Sequence, residues 1–116
     1  MGNVKIAYVS EVNSKNFADY TKTNGIVVVD LYAEWCSPCK VLSPIIDSLA
    51  AEFTEEGANI IVGKMDIEKE GNKEIVVDLG VSSIPTIIIY KNGEIVDRNT
   101  GMIQKAKLKE LIQKHI

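Results

Sequence analysis

Residues 26–33, IVVVDLYA, form an apolar and largely β-branched run broken by a single charge, Asp30. A run of that kind without polar alternation reads as a strand covered on both faces, because a sheet with one wet face would turn every second side chain toward water. Covering both faces takes helices on either side, and the rest of the chain supplies candidates. Val41, Leu42, Ile45, Ile46, Leu49, Ala50 and Phe53 recur at helical spacing. They predict a helix from about Cys36 to about Glu56, kinked near its second turn by Pro44, which lacks a backbone donor. Upstream, Val4 to Val9 alternates as a half-buried strand with Val4, Ile6 and Tyr8 on one face. Asn13 or Ser14 can then cap a short helix carrying Phe17, Ala18 and Tyr20, which ends by Asn24-Gly25.

Downstream, Ile60 to Met65 reads as a strand and Glu74 to Leu79 as a short helix closed by Gly80, with Pro85 in the loop that follows. Thr86 to Lys91 and Glu94 to Arg98 flank Asn92-Gly93, the pair suited to a type I′ hairpin because both central residues need positive φ. A last helix spans about Gln104 to His115, with Leu108, Leu111 and Ile112 on one face. The order β-α-β-α-β-α-β-β-α, without repeat or linker, predicts one α/β domain over residues 1–116. Its expected form is a central mixed sheet of about five strands flanked by about four helices on both faces.

Composition narrows the function classes. With 46% hydrophobic and 25% charged residues the chain matches an ordinary globular domain rather than a disordered one. Thirteen basic against sixteen acidic residues leave a net charge of -3, which argues against nucleic acid as a partner. The longest apolar stretches fall far short of the roughly 20 residues of a membrane span, so no membrane partner is expected. The N-terminal MGNVKIAYVSEVN lacks the continuous apolar segment of a secretory signal. A cytoplasmic setting is therefore expected.

Cys36 and Cys39 are the only cysteines, spaced CxxC between the buried strand and the predicted helix. Three readings compete. Zinc needs about four ligands, and the one other strong candidate is His115, so a metal site would require a second chain. A structural staple across so short a loop restricts the unfolded chain little. Redox chemistry suits the placement best. A sulfur at a helix start lies at the positive end of the macrodipole, beside N–H groups with no partner in the helix, and this favours the thiolate that attacks disulfides. Cys36 is accordingly the expected nucleophile. Cys39, about one turn later on the same face, is the expected resolving thiol, which attacks the mixed disulfide and releases the reduced product. Pro38 fits the first helical turn, where its absent N–H costs nothing.

With WCSPCK following VVVDLYAE, the chain resembles the thioredoxins over essentially its whole length. Further matches are Asp30 in the buried strand, Trp35 before the first cysteine, Lys40 after the second, and Pro44. Lys64 in GKMDI, Ile84-Pro85-Thr86, Asn92-Gly93 and Gly101 match as well. The resemblance implies the thioredoxin fold and a general protein dithiol–disulfide oxidoreductase. Such a protein binds no cofactor beyond its redox-active Cys36–Cys39 pair, reduces disulfide-containing protein substrates, and is recharged by thioredoxin reductase, an NADPH-dependent flavoprotein. It also implies that Asp30 accepts the Cys39 proton, directly or through water, while Lys64 tunes its charge. A carboxylate in VVVDLY is costly to bury and its pKa should rise; the competing reading puts Asp30 on an exposed edge and Lys64 on a solvated face.

The resemblance makes Pro85 a cis-proline facing the active site, whereas an X-Pro bond taken alone defaults to trans. Ile84, Trp35 and Gly101 would then form a shallow apolar rim for partner proteins; by composition alone Trp35 and Ile84 are equally readable as core. A monomer is expected. Two positions depart from the family pattern: Ser37 stands where Gly is usual before Pro38, and Tyr32 where Trp is common. Ser37 adds a hydroxyl beside both sulfurs, which either shifts the potential or is a tolerated small-for-small change. Two other functions remain in view, a disulfide oxidase or isomerase of an oxidising compartment and a non-catalytic binding module. The absence of His between the cysteines weighs against the first, and the complete set of CxxC, Asp30 and Pro85 against the second.

Overall fold

The computed structural model describes residues 8–116, in which five strands and four helices alternate in the expected order. They are β1 (Val9–Glu11), α1 (Phe17–Thr21), β2 (Ile26–Tyr32), α2 (Ser37–Glu55), β3 (Ile60–Asp66), α3 (Lys73–Asp78), β4 (Thr86–Lys91), β5 (Glu94–Thr100) and α4 (Lys105–Gln113). In space the strands run β1-β3-β2-β4-β5. β1 and β2 are both parallel to β3, whereas β4 is antiparallel to β2 and to β5. The mixed sheet and four helices are those of the thioredoxin fold.

β2 occupies the middle of the sheet, as its apolar run requires. Its alternate residues serve two cores. Ile26 and Val28 join Leu42, Ile46, Leu49 and Phe53 of α2 and Leu108 and Ile112 of α4. Val27, Val29 and Leu31 point the other way, into a cluster with Val12, Met65, Ile88 and Tyr90 against which Phe17 and Tyr20 of α1 and Ile75 and Val76 of α3 pack. Each fully buried aliphatic side chain here contributes roughly 1.5–3 kcal/mol of transfer free energy. Asp30 continues the Ile26–Val28 face toward the C-terminal end of β2, where α2 begins.

Local turn chemistry closes the frame. Asn92 (φ 52°) and Gly93 (φ 89°) both have positive φ, as the hairpin between β4 and β5 demands. Asn92 also reaches across the sheet end, since its side-chain Oδ1 accepts from Gly25 N at 2.9 Å while its own N–H donates to Gly25 O at 2.9 Å. α2 passes through Pro44 without interruption.

Residues 4–7 of the strand expected over Val4 to Val9 lie outside the described residues; among the described residues β1 spans Val9–Glu11. The residue preceding α1 is Asn16, not Asn13 or Ser14; Asn13 instead accepts from Lys15 N at 2.9 Å and closes a turn just upstream. Asn72, which carried no sequence signal, is fully buried: its amide donates to Asp66 O and accepts from Ser14 N, both at 2.8 Å, tying the α1 and α3 approaches together.

Gly63 in β3 marks a close approach, because a Cβ there would press on Val12 and come within 3.0 Å of Tyr20 Cε2. Gly63→Ala is expected to lose about 1–3 kcal/mol by overpacking, read as a lower denaturant midpoint. An unaltered midpoint would mean that the Val12–Tyr20 contact gives way freely.

Candidate active site

Three backbone segments converge at the C-terminal end of β2. The chain leaves β2 through residues 33–36, with Cys36 N donating to Ala33 O at 3.2 Å, and enters α2 with Cys36 as its N-cap in extended conformation. Ser37 and Pro38 are the first helical residues, both exposed. Pro38 sits where a missing N–H costs nothing. Cys36 Sγ takes the role that a Ser or Asp oxygen usually plays at an N-cap, accepting from Cys39 N at 3.2 Å.

Cys36 and Cys39 are joined in a disulfide with Cα atoms 5.2 Å apart. Both are nearly buried, 5% and 3% exposed, and pack with Ala33 against Tyr32, Ile67 and Ile84. When the bond opens, the sulfur released at Cys36 has a backbone donor and the helix dipole beside it, an arrangement that favours a negatively charged sulfur. The only histidine lies elsewhere, its Nε2 within 2.8 Å of Asp97 Oδ2 on β5. Among the described residues no three His, Cys, Asp or Glu side chains converge as a metal site.

Asp30 is 1% exposed in the central strand, not on an edge. Its Oδ1 has no hydrogen-bond partner among the described residues. Burial pushes its pKa up from the usual 3.8 to about 7; Lys64 opposes the rise and Asp47 adds to it. Asp30 and Cys39 line one open cavity of about 480 Å³, together with Tyr32, Lys40, Ser43 and Lys64. In the sheet Asp30 stands directly opposite Lys64 of β3 on one side and Ile87 of β4 on the other. The half-buried Lys64 directs its ammonium to α2: Nζ donates to Ser43 Oγ at 2.6 Å and to Asp47 Oδ1 at 2.8 Å.

The third segment is the approach to β4. The Ile84–Pro85 bond is cis, and Pro85 O accepts from Gly101 N at 2.8 Å, which seats Gly101 beside the proline. Ile84, half-buried, packs on the cysteine cluster, while Trp35 is 63% exposed. Neither is an ordinary core residue. The structure therefore brings Cys36, Cys39, Asp30, Lys64, Ile84 and Pro85 to one end of the sheet. Three further neighbours complete the site. Ser43 and Asp47 lie four and eight positions after Cys39, a polar stripe one helical turn apart that was legible. Ile67, held by its N–H to Tyr32 O at 2.9 Å, carried no comparable signal.

A cystine pair at the N-cap of a helix, set on a mixed α/β sheet above a buried carboxyl, defines a dithiol–disulfide exchange protein. The family model Thioredoxin matches residues 8–114. The chain is 42% identical over 107 residues to the thioredoxin of Chlamydia muridarum, covering 92% of this chain and 98% of that protein. It is 37% identical over 108 residues to the thioredoxin of Staphylococcus saprophyticus (93% and 98%), and 36% identical over 94 residues to that of Bacillus subtilis (81% and 86%). The chain belongs to the thioredoxin family. Its reaction is the family's dithiol–disulfide exchange, which reduces disulfides in other proteins, and its partners in general are such substrates and a thioredoxin reductase.

Proposed function

We propose that Cys36 is the attacking thiolate and Cys39 the resolving thiol of a single-domain, monomeric, cytoplasmic protein-disulfide reductase. The carrying observation is the N-cap geometry, with Cys36 Sγ accepting from the Cys39 N–H at 3.2 Å. The Cys36 thiolate attacks one sulfur of a substrate disulfide, forming a mixed disulfide and expelling the substrate's other sulfur as a thiolate. Asp30 takes the Cys39 proton across their shared cavity. The Cys39 thiolate then attacks Cys36 Sγ, closing the Cys36–Cys39 disulfide and releasing the substrate's second thiolate. Two electrons have passed to the substrate, and a thioredoxin reductase returns them from NADPH through its flavin, which makes the protein a carrier in electron transport.

Lys64 tunes the charge on Asp30, while Trp35, Ser37, Pro38 and Lys40 frame the sulfurs. Ile84, the cis Pro85 and Gly101 form the surface on which an extended substrate segment docks. The half-buried Ile84 on the cysteine cluster and the exposed Trp35 support that reading. A cytoplasmic setting fits a dithiol kept reduced by an NADPH-fed enzyme.

Equilibration against thiol–disulfide buffers tests the direction of electron flow. The expected midpoint is about −270 mV, the potential characteristic of thioredoxin. A midpoint toward about −120 mV would instead make the protein an oxidant of an oxidising compartment. The same titration on Ser37→Gly is expected to move the midpoint, and an identical value would leave Ser37 as a tolerated replacement.

A further inference from the structure

Asp30 and Lys64 are register partners across the parallel strands β2 and β3, neighbouring positions at which a carboxylate and an ammonium could form an ion pair. Here the pair is not made. The Lys64 ammonium is drawn to α2 by Ser43 Oγ at 2.6 Å and Asp47 Oδ1 at 2.8 Å, and Asp30 Oδ1 is left buried with no hydrogen-bond partner among the described residues. Lys64 lines both the cavity that holds Asp30 and Cys39 and a neighbouring groove onto which Asp47 opens. Its side chain is 20% exposed and that of Asp47 58%, so the ammonium is anchored on the wetter side.

We propose that Ser43 and Asp47 are positioning residues that hold the Lys64 ammonium on α2 and thereby leave Asp30 without an ion-pair partner, free to exchange a proton with Cys39. The proposal rests on the reading of Asp30 as proton acceptor and adds the device that keeps it one. A carboxylate in contact with an ammonium gives up its proton at low pH and is a poor base near neutrality. One held a short distance away feels a weaker field, and burial then dominates. The groups facing Asp30 are few. Lys64 comes from β3, Cys39, Lys40 and Asp47 from α2, Tyr32 from the end of β2, Glu34 from the segment leaving it, and the uncharged Ile87 from β4.

Two variants separate anchoring from simple charge. Ser43→Ala changes no charge and removes one of the two ammonium partners; Asp47→Asn removes the other along with a like charge near Asp30. The Asp30 carboxyl is followed directly by NMR titration in the full chain with labelled aspartate, with unfolding midpoints recorded alongside. In the double variant the Asp30 midpoint should fall by about one pH unit, with a smaller fall in Ser43→Ala alone. Ser43→Thr, which keeps the hydroxyl, should restore the original midpoint. An unmoved or raised midpoint in Ser43→Ala overturns the proposal, even if Asp47→Asn lowers it, because Asp47 would then act through its charge and not by holding Lys64. The pH profile of the resolving step is read in the same proteins. If the Asp30 midpoint falls while that profile stays put, the positioning device stands and the proton-acceptor role of Asp30 fails.

Discussion

Cys39→Ser should arrest the reaction halfway. Cys36 keeps its N-cap position, since the donor to its sulfur is the backbone N–H of residue 39 and not the side chain that is replaced. Attack on a substrate disulfide therefore proceeds, and the mixed disulfide persists because no second thiol sits within reach. An intramolecular thiol in good geometry acts at an effective concentration of up to about 10⁵–10⁸ M, which no thiol in solution matches. Turnover of a disulfide-bonded protein should drop to the uncatalysed rate. A covalent adduct should accumulate near one per chain, visible without reductant and lost with it. Cys36→Ser should form no adduct while losing turnover equally. An adduct on Cys36→Ser, or continued turnover by Cys39→Ser, would reverse or remove the assigned roles.

Replacing Asp30 with Asn should stabilise the fold and slow the chemistry at once. Asn resembles the protonated carboxyl in shape and lacks its ionisation, so it isolates what the charge costs. The folded-state pKa of Asp30 lies above its unfolded value, at about 7 against 3.8. The native state therefore holds the proton more tightly, and the favourable contribution of this group is present below pH 4 and lost as pH rises toward 7. Over that interval the loss amounts to about 4 kcal/mol. Asp30→Asn and the parent protein should thus have similar denaturant midpoints at pH 4 and separate progressively up to pH 8, the variant being the more stable. Resolution of the mixed disulfide should fall roughly 10²-fold at neutral pH, the low end for loss of a positioned base, because water in the open cavity offers a substitute. Parallel stability profiles would show that the carboxyl is better solvated than its 1% exposure implies. An unchanged rate across pH would remove it from the mechanism.

These two residues differ in how they can be read from a chain. Cys36 and Cys39 announce themselves because the spacing, the strand before them and the helix after them lie within a few residues. The N-cap, the exposed Ser37-Pro38 turn and the return of Cys39 one turn later all follow from local geometry. The positive φ values at Asn92 and Gly93 are equally local. Asp30 was legible as an anomaly, a charge in an apolar strand, yet its surroundings were not. Lys64 comes opposite it only through the register of β2 on β3. The partners Ser43 and Asp47 claim Lys64 only because α2 crosses that face of the sheet. Pro85 is a similar case: the dipeptide alone favours trans, and the cis bond stands in the structure where the family resemblance expected it.

Short-range patterns thus determined the alternation of strands and helices, the two-sided burial of β2 and the redox pair at a helix start, because each depends on neighbours within a turn or a pleat. The order β1-β3-β2-β4-β5, the shared cavity of Asp30 and Cys39, and the diversion of Lys64 from its carboxylate came from packing across distant segments. A side chain chooses among partners by distance and exposure, and those exist only once the sheet has closed its register and α2 has docked on it.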